Sequence, residues 1–128
     1  MRLLLDTQIA FWWHKGDRSL SMEARRLVES ADDSVFVSRA SLWELAIKVS
    51  TGKLRVDLPD FILQTEHYGF EWLSIRTEHL LGVAALPLPG THKDPFDRLL
   101  VAQALSEPLV LLTSDSQLRQ YGDFVRVV

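Results

Sequence analysis

Short apolar runs alternate with longer amphipathic ones along the whole chain. The runs at 2–5, 35–38, 70–75, 109–113 and 124–128 are rich in Leu, Val, Ile and Phe, and they read as buried strands. Between them lie helical patterns. One passes through 9–13. A second covers 22–30, with Ser21 as its N-cap. A third covers 41–49, with Leu42, Leu45, Ala46 and Val49 on one face and Gly52 as its stop. Pro59 opens a fourth, which runs to about residue 68 and is closed by Gly69. Further helices are expected at 78–85, from Pro95 onward, and at 116–120. Strands that alternate with helices pair in parallel and are covered on both faces. The class is therefore α/β, and 128 residues make one domain with a sizeable core.

Composition narrows the function. There is no cysteine, so disulfides and thiolate metal sites are excluded. The net charge is −3, whereas a protein that grips nucleic acid by electrostatics alone is usually basic. Work on RNA or DNA would need local basic patches and bound cations. Charge or proline interrupts every apolar run before it reaches membrane-spanning length. MRLLLDTQ is too short and too soon acidic for a signal peptide, so it reads as the first strand. The expected location is the cytoplasm, with no membrane association.

The stretch HKDPFDRLLVAQA, residues 92–104, carries two carboxylates three residues apart. Asp94 precedes proline and is pushed out of helical geometry, while Pro95 suits the first helical position. Asp94 is thus a natural N-cap. Asp97 falls at N3, where an acid is also welcome near the helix dipole. Capping alone could explain both.

The other acids break the tie. Asp6 ends the first strand in LLLDT, Glu44 lies one turn into the helix after the second strand, and Asp115 follows the fourth strand in LLTSD. In a parallel α/β fold, strand C-termini and helix N-termini gather on one ligand-binding edge. Asp6, Glu44, Asp97 and Asp115 therefore point to one rim. Acids gathered without basic partners repel one another unless divalent cations sit among them. Mg²⁺ and Mn²⁺ favour carboxylate and water ligands, and such ions can activate a water against a phosphodiester. Each acid has a plainer reading too. Asp6 and Asp115 could each cap the helix that follows, and Glu44 has Lys48 four residues on for a surface ion pair. Glu44 also lies between Trp43 and Leu45, close to the buried face. Capping does not explain why one rim repeats the pattern four times.

These residues resemble the PIN-domain ribonucleases, and among them the VapC-type toxins of toxin–antitoxin pairs. The matching pieces are LLLDT, SRASLWELAIKVSTGKL, HKDPFDRLLVAQA and LLTSD, in the family's order and spanning nearly the whole chain. The resemblance implies a PIN-like α/β/α sandwich around a central, mainly parallel five-stranded sheet. It also implies an Mg²⁺- or Mn²⁺-dependent endoribonuclease. Carried over, Asp6, Glu44 and Asp97 are the core metal-site acids and Asp115 often completes the set. Thr113 is the hydroxyl that orients that rim. Asp94 matches no family acid, in keeping with its role as a cap. Gln8 departs from the His or Asn often found there. A homodimer and a cognate antitoxin lying over the site are implied as well.

Arg39, Lys48, His92, Lys93 and Arg98 are the basic residues available near the rim for phosphate contacts. For Arg98 a solvent-facing helix position is the plainer reading. Trp12 and Trp13 stand in tandem, which one helix face does not easily bury together. Core packing is favoured, with one ring exposed as a partner anchor as the alternative. Two other functions compete with this one. One is an RNA-binding or regulatory module of the same fold with little catalysis, which loss of an acid would favour; no acid is missing. The other is a magnesium phosphatase or receiver domain. Asp6-Thr7-Gln8 lacks the second aspartate that a phosphatase of that kind wants, and a receiver's acid pair and late lysine are absent.

Overall fold

In the computed structural model, residues 1–31, 34–88 and 93–128 are described. Five strands form one sheet: β1 (Leu3–Leu5), β2 (Val35–Ser38), β3 (Glu71–Leu73), β4 (Val110–Thr113) and β5 (Val125–Val127). Their spatial order is β3-β2-β1-β4-β5, and every pairing is parallel. The expectation of a mainly parallel sheet thus becomes a wholly parallel one. Among the described residues six α-helices accompany it: α1 (Thr7–Lys15), α2 (Met22–Ser30), α3 (Arg39–Ser50), α4 (Leu58–His67), α5 (Thr77–Ala85) and α6 (Pro95–Ser106). A 3₁₀ helix covers Ser116–Tyr121.

The period of two along each strand divides the core between the two faces of the sheet. Leu3, Leu5, Val35, Val37 and Leu112 point one way, into a cluster with Ile9 and Ala10 of α1, Ala24 and Val28 of α2, Leu45 of α3 and Phe61 of α4. Leu4 and Leu111 point the other way, against Leu99, Leu100, Val101 and Ala104 of α6, with Val83 of α5 alongside. This is the α/β/α sandwich. Trp12 and Trp13 are both half-buried against the first cluster, and Trp13 meets Tyr68 and Phe70 with ring centroids 6.1 and 5.8 Å away. Core packing accounts for the tandem pair, and neither ring is an exposed anchor.

Local signals set the helix ends. Ser21 caps α2 by accepting the Ala24 N–H, as its sequence position suggests. Asp57 caps α4, which puts Pro59 inside the first turn rather than at its start. Gly69, just past α4, has φ +81°, a conformation that a Cβ would strain. The strands at both sheet edges are shorter than the apolar runs that suggested them. Residues 70, 74 and 75, for example, fall outside β3.

Strand order locates the site. The chain steps outward from β1 to β2 to β3, then returns to the far side of β1 with β4. That reversal opens a crevice beyond the carboxyl ends of β1 and β4, where open parallel sheets bind ligands.

Candidate metal and RNA site

Asp6 sits at that crevice, only 6 % exposed. It is the N-cap of α1, its Oδ1 accepting the Ile9 N–H at 2.8 Å. Its other oxygen accepts a hydrogen bond from Thr113 Oγ1 at the end of β4. The register explains the meeting. Leu5 pairs with Leu112, so the next residue of each strand lies side by side, and the Asp6 N–H donates to the Leu112 carbonyl at 2.9 Å. One carboxylate therefore caps α1 and reaches the end of β4 as well. Thr113 Oγ1 also accepts the Asp115 N–H at 3.0 Å, and the Asp115 carboxylate accepts the Gln117 N–H at 2.9 Å. Asp115 thus joins the rim through Thr113 while it caps the 3₁₀ helix.

Burial pushes the Asp6 carboxyl up from 3.8 to about 6. The Thr113 and Ile9 hydrogen bonds oppose that rise, and the negative charges of Asp97 and Glu44 add to it. Asp97 and Glu44, from two other segments, therefore each lie within electrostatic reach of Asp6.

Glu44 projects from α3, half-buried, and pairs with Lys48 at 3.3 Å. Its neighbours divide unexpectedly: Leu45 is buried, but Trp43 is 55 % exposed. Ser38 caps α3 by accepting the Ala40 N–H at 3.0 Å. Buried Ser41 accepts a hydrogen bond from Thr7 Oγ1 at 2.9 Å, tying the start of α3 to the start of α1. The sequence reading missed this hydroxyl pair. Its signal was available: Thr7 follows Asp6, and Ser41 lies three residues before Glu44. Asp97 sits at N3 of α6, its N–H donating to Asp94 Oδ1 at 2.9 Å, with Asp94 as the N-cap.

The basic residues scatter. Arg98 is 8 % exposed, neither solvent-facing nor free to meet phosphate. Its guanidinium donates to the carbonyls of Val83, Leu86 and Pro87 at 3.4, 3.3 and 2.8 Å and to the Tyr121 hydroxyl at 3.0 Å. It closes the C-terminal end of α5, where carbonyls lack helical partners. Arg39 is exposed but stacks over Trp72, 4.5 Å from the ring centroid. Lys48 pairs with Glu44 while its side chain stays 43 % exposed, Lys93 is exposed beside Asp94, and His92 lies outside the described residues. Gln8 is exposed and shares a small cleft of about 90 Å³ with Thr7, Phe11, Glu44, Leu45, Lys48 and Leu54.

The donor set is all carboxylate, which suits a hard divalent cation. A buried acid with its pKa raised, facing two further acids, is the arrangement that such a cation would relieve. Among the described residues, no group of three or more His, Cys, Asp or Glu is already drawn together tightly enough to ligate an ion.

The sequence profile of the PIN domain matches residues 3–123. The chain belongs to the PIN-domain family. Within that family it is 30 % identical to Ribonuclease VapC22 of Mycobacterium tuberculosis, over 93 % of this chain and 91 % of that one. Its fold resembles that of a chain in DNA-bound VapBC from Salmonella typhimurium, with TM-score 0.70, 19 % identity, and 100 % and 97 % of the two chains covered. A chain in a toxin–antitoxin complex from Klebsiella pneumoniae gives TM-score 0.69 at 18 % identity, over 98 % and 96 %. The similarity runs the length of the PIN domain, so all four rim acids fall within the family match.

Proposed function

We propose that the protein is a divalent-metal-dependent endoribonuclease of the VapC type, the toxin of a toxin–antitoxin pair. The observation that carries this reading is the gathering of acid charge at the reversal of strand order: Asp6, buried at the end of β1 and raised to about 6, feels the charges of Asp97 and Glu44. The PIN-domain match and the likeness to a VapC ribonuclease support the same activity. Asp6, Glu44 and Asp97 would hold Mg²⁺ or Mn²⁺, with Asp115 at the edge of the set. A cation bound there supplies Lewis-acid charge at the scissile phosphate and lowers the pKa of water. The protein's own part is to fix the acids. Thr113 and the Ile9 N–H hold both Asp6 oxygens in place, the Asp94 cap sets the first turn that presents Asp97, and Thr7–Ser41 locks α3 to α1. Such pinning of ligands is what sustains a metal site's geometry.

The similar structures come from VapBC and toxin–antitoxin complexes. They support a cognate antitoxin, and a homodimer is part of the same reading. Among the described residues no helix is long and apolar enough to cross a membrane, and the cytoplasm is the proposed location. A weakly catalytic RNA-binding module is the second reading. It is favoured by the lack of a tight ligand group among the described residues.

The test is cleavage of mixed structured RNA, tRNA included, by partner-free protein with Mg²⁺, with Mn²⁺ and with EDTA, beside Asp97→Asn. Discrete fragments that require metal and vanish in the variant are expected. RNA binding without cleavage under either metal would overturn the ribonuclease in favour of the module.

A further inference from the structure

Two aromatic residues flank the acids, one beside each. Trp43 precedes Glu44 in α3, and Phe96 precedes Asp97 in α6. Their rings meet edge to face, with centroids 4.9 Å apart and planes at 71°. A buried aromatic pair would be ordinary core, but Trp43 is 55 % exposed, and Ile47, one helical turn on, is 40 % exposed. Phe96 and Ile47 line a cleft of about 220 Å³ whose other walls are Glu44, Lys48, Thr51, Lys53 and Asp94. Glu44 belongs both to this cleft and to the acid rim, so the two are continuous. Trp43 is not on this lining; it stands beside the cleft against Phe96, which is. Two lysines, Lys48 and Lys53, line the same cleft, and Lys93 is exposed next to Asp94.

We propose that Trp43, backed by Phe96, is the stacking platform for one nucleobase of the RNA strand next to the cleavage site, with Lys48 and Lys53 attending its phosphates. The inference rests on the ribonuclease reading and adds to it a subsite that grips the base. A flat exposed ring beside cationic side chains matches the chemistry of a nucleotide: a π face to stack and a phosphate to attract. An apolar protein segment would bury the ring equally well but has no use for the two lysines. Base stacking on an aromatic ring also tolerates any base, so the platform would position the strand rather than read its sequence. The Trp43–Phe96 contact matters because it fixes the orientation of the Trp43 ring at the lip of the acid rim.

The experiment uses full-chain protein carrying Asp97→Asn, so that the strand survives, in Mg²⁺ buffer. Anisotropy titrations compare a short labelled oligoadenylate with a sugar–phosphate strand of equal length that lacks bases. Trp43→Ala is expected to weaken oligoadenylate binding by about 5- to 150-fold, the range of one lost base stack. Trp43→Phe is expected to restore most of the affinity, and the baseless strand is expected to bind both variants alike. An equal loss on both strands would make the effect one of charge or folding and overturn the proposal. Unchanged oligoadenylate affinity, or none measurable before substitution, would overturn it too and leave the ring to a protein partner. Wild-type protein run in parallel keeps the two readings apart. Cleavage by the wild type with no base-dependent loss in Trp43→Ala sinks the stacking subsite alone, whereas a wild type that never cleaves sinks the ribonuclease.

Discussion

At neutral pH, Asp6 is ionised in a place that disfavours ions. Its folded pKa of about 6 lies above the ordinary 3.8, so the folded chain keeps this proton longer than the unfolded chain does. Stability from this group is therefore greatest below about pH 4, falls as pH rises through about 6, and is level beyond. The ionised group costs about 3 kcal/mol at pH 7 by that shift. Asp6→Asn keeps the cap, since asparagine accepts the Ile9 N–H as well. It is expected to stabilise metal-free protein by about 1–3 kcal/mol at pH 7 and by almost nothing at pH 4. Urea unfolding in EDTA at the two pH values checks this, and a variant less stable than wild type at pH 7 would contradict it. In RNA cleavage the same variant is expected to be dead. Asp97→Asn should lose at least about 100-fold, because even outer-shell changes at metal sites cost 10–100-fold. Asp94→Asn should lose little of either property, because it only exchanges one good cap for another. Activity lost in Asp94→Asn but kept in Asp97→Asn would reverse the roles assigned to the two residues.

Helix α6 shows what a sequence discloses about an element and what it withholds. Its start was legible. Asp-Pro announces a cap and a first turn, and the spacing puts Asp97 at N3, both as found. The wholly buried run from Leu99 to Ala104 was legible in part, from its leucines and alanines. Arg98 was not. Its role is set by the end of α5, whose carbonyls arrive from 11 to 15 residues upstream, and periodicity within α6 cannot see them. Gln103 was hidden for the same reason. It is fully buried, accepts from Ser38 Oγ at 2.6 Å, and donates to the Ser74 carbonyl at 3.3 Å. It also donates to His79 Nδ1, at 3.3 Å. His79 is buried as well; its Nδ1 accepts the Arg76 N–H at 3.0 Å, and its Nε2 lies 2.6 Å from Glu107. Partners this far apart in sequence leave no local pattern. The exposure of Trp43 was hidden too, because an apolar residue beside buried Leu45 reads as core until the neighbouring helices are in place. Arg98→Ala follows from its placement. It strips charged hydrogen bonds from three carbonyls and is expected to destabilise the fold by about 2–4 kcal/mol. RNA affinity per folded molecule should stay within about twofold, since none of those partners is phosphate. Chemical unfolding and strand titration of the same variant separate the two effects. Weaker RNA binding at unchanged stability would return Arg98 to the phosphate-contacting set.

Across the whole molecule, a wholly parallel sheet gathers the strand C-termini on one edge, and the acids that follow β1 and β4 gather with them. The chain also carries a net charge of −3, so cations and substrate approach a protein that does not attract phosphate overall. On the proposed function, divalent cations would have two effects: they would relieve the negative charge that Glu44 and Asp97 impose on Asp6, and they would raise folding stability by mass action. At 100 times the dissociation constant that gain is about 2.7 kcal/mol, or on the order of 10 °C in Tm for a chain of this size. The gain must depend on pH, because a ligand carboxylate has to lose its proton before it can bind. With Asp6 titrating at about 6, Mg²⁺ or Mn²⁺ is expected to raise Tm at pH 7.5 and to raise it far less at pH 5. In Asp6→Asn the pH dependence of the remaining shift should flatten, since the titrating ligand is gone. Thermal melts of the two proteins at both pH values, with and without metal, decide it. A metal-induced shift equal at pH 5 and 7.5 in the wild type would remove Asp6 from the ligand set. The crevice between β1 and β4 would then be a fold feature rather than a metal centre.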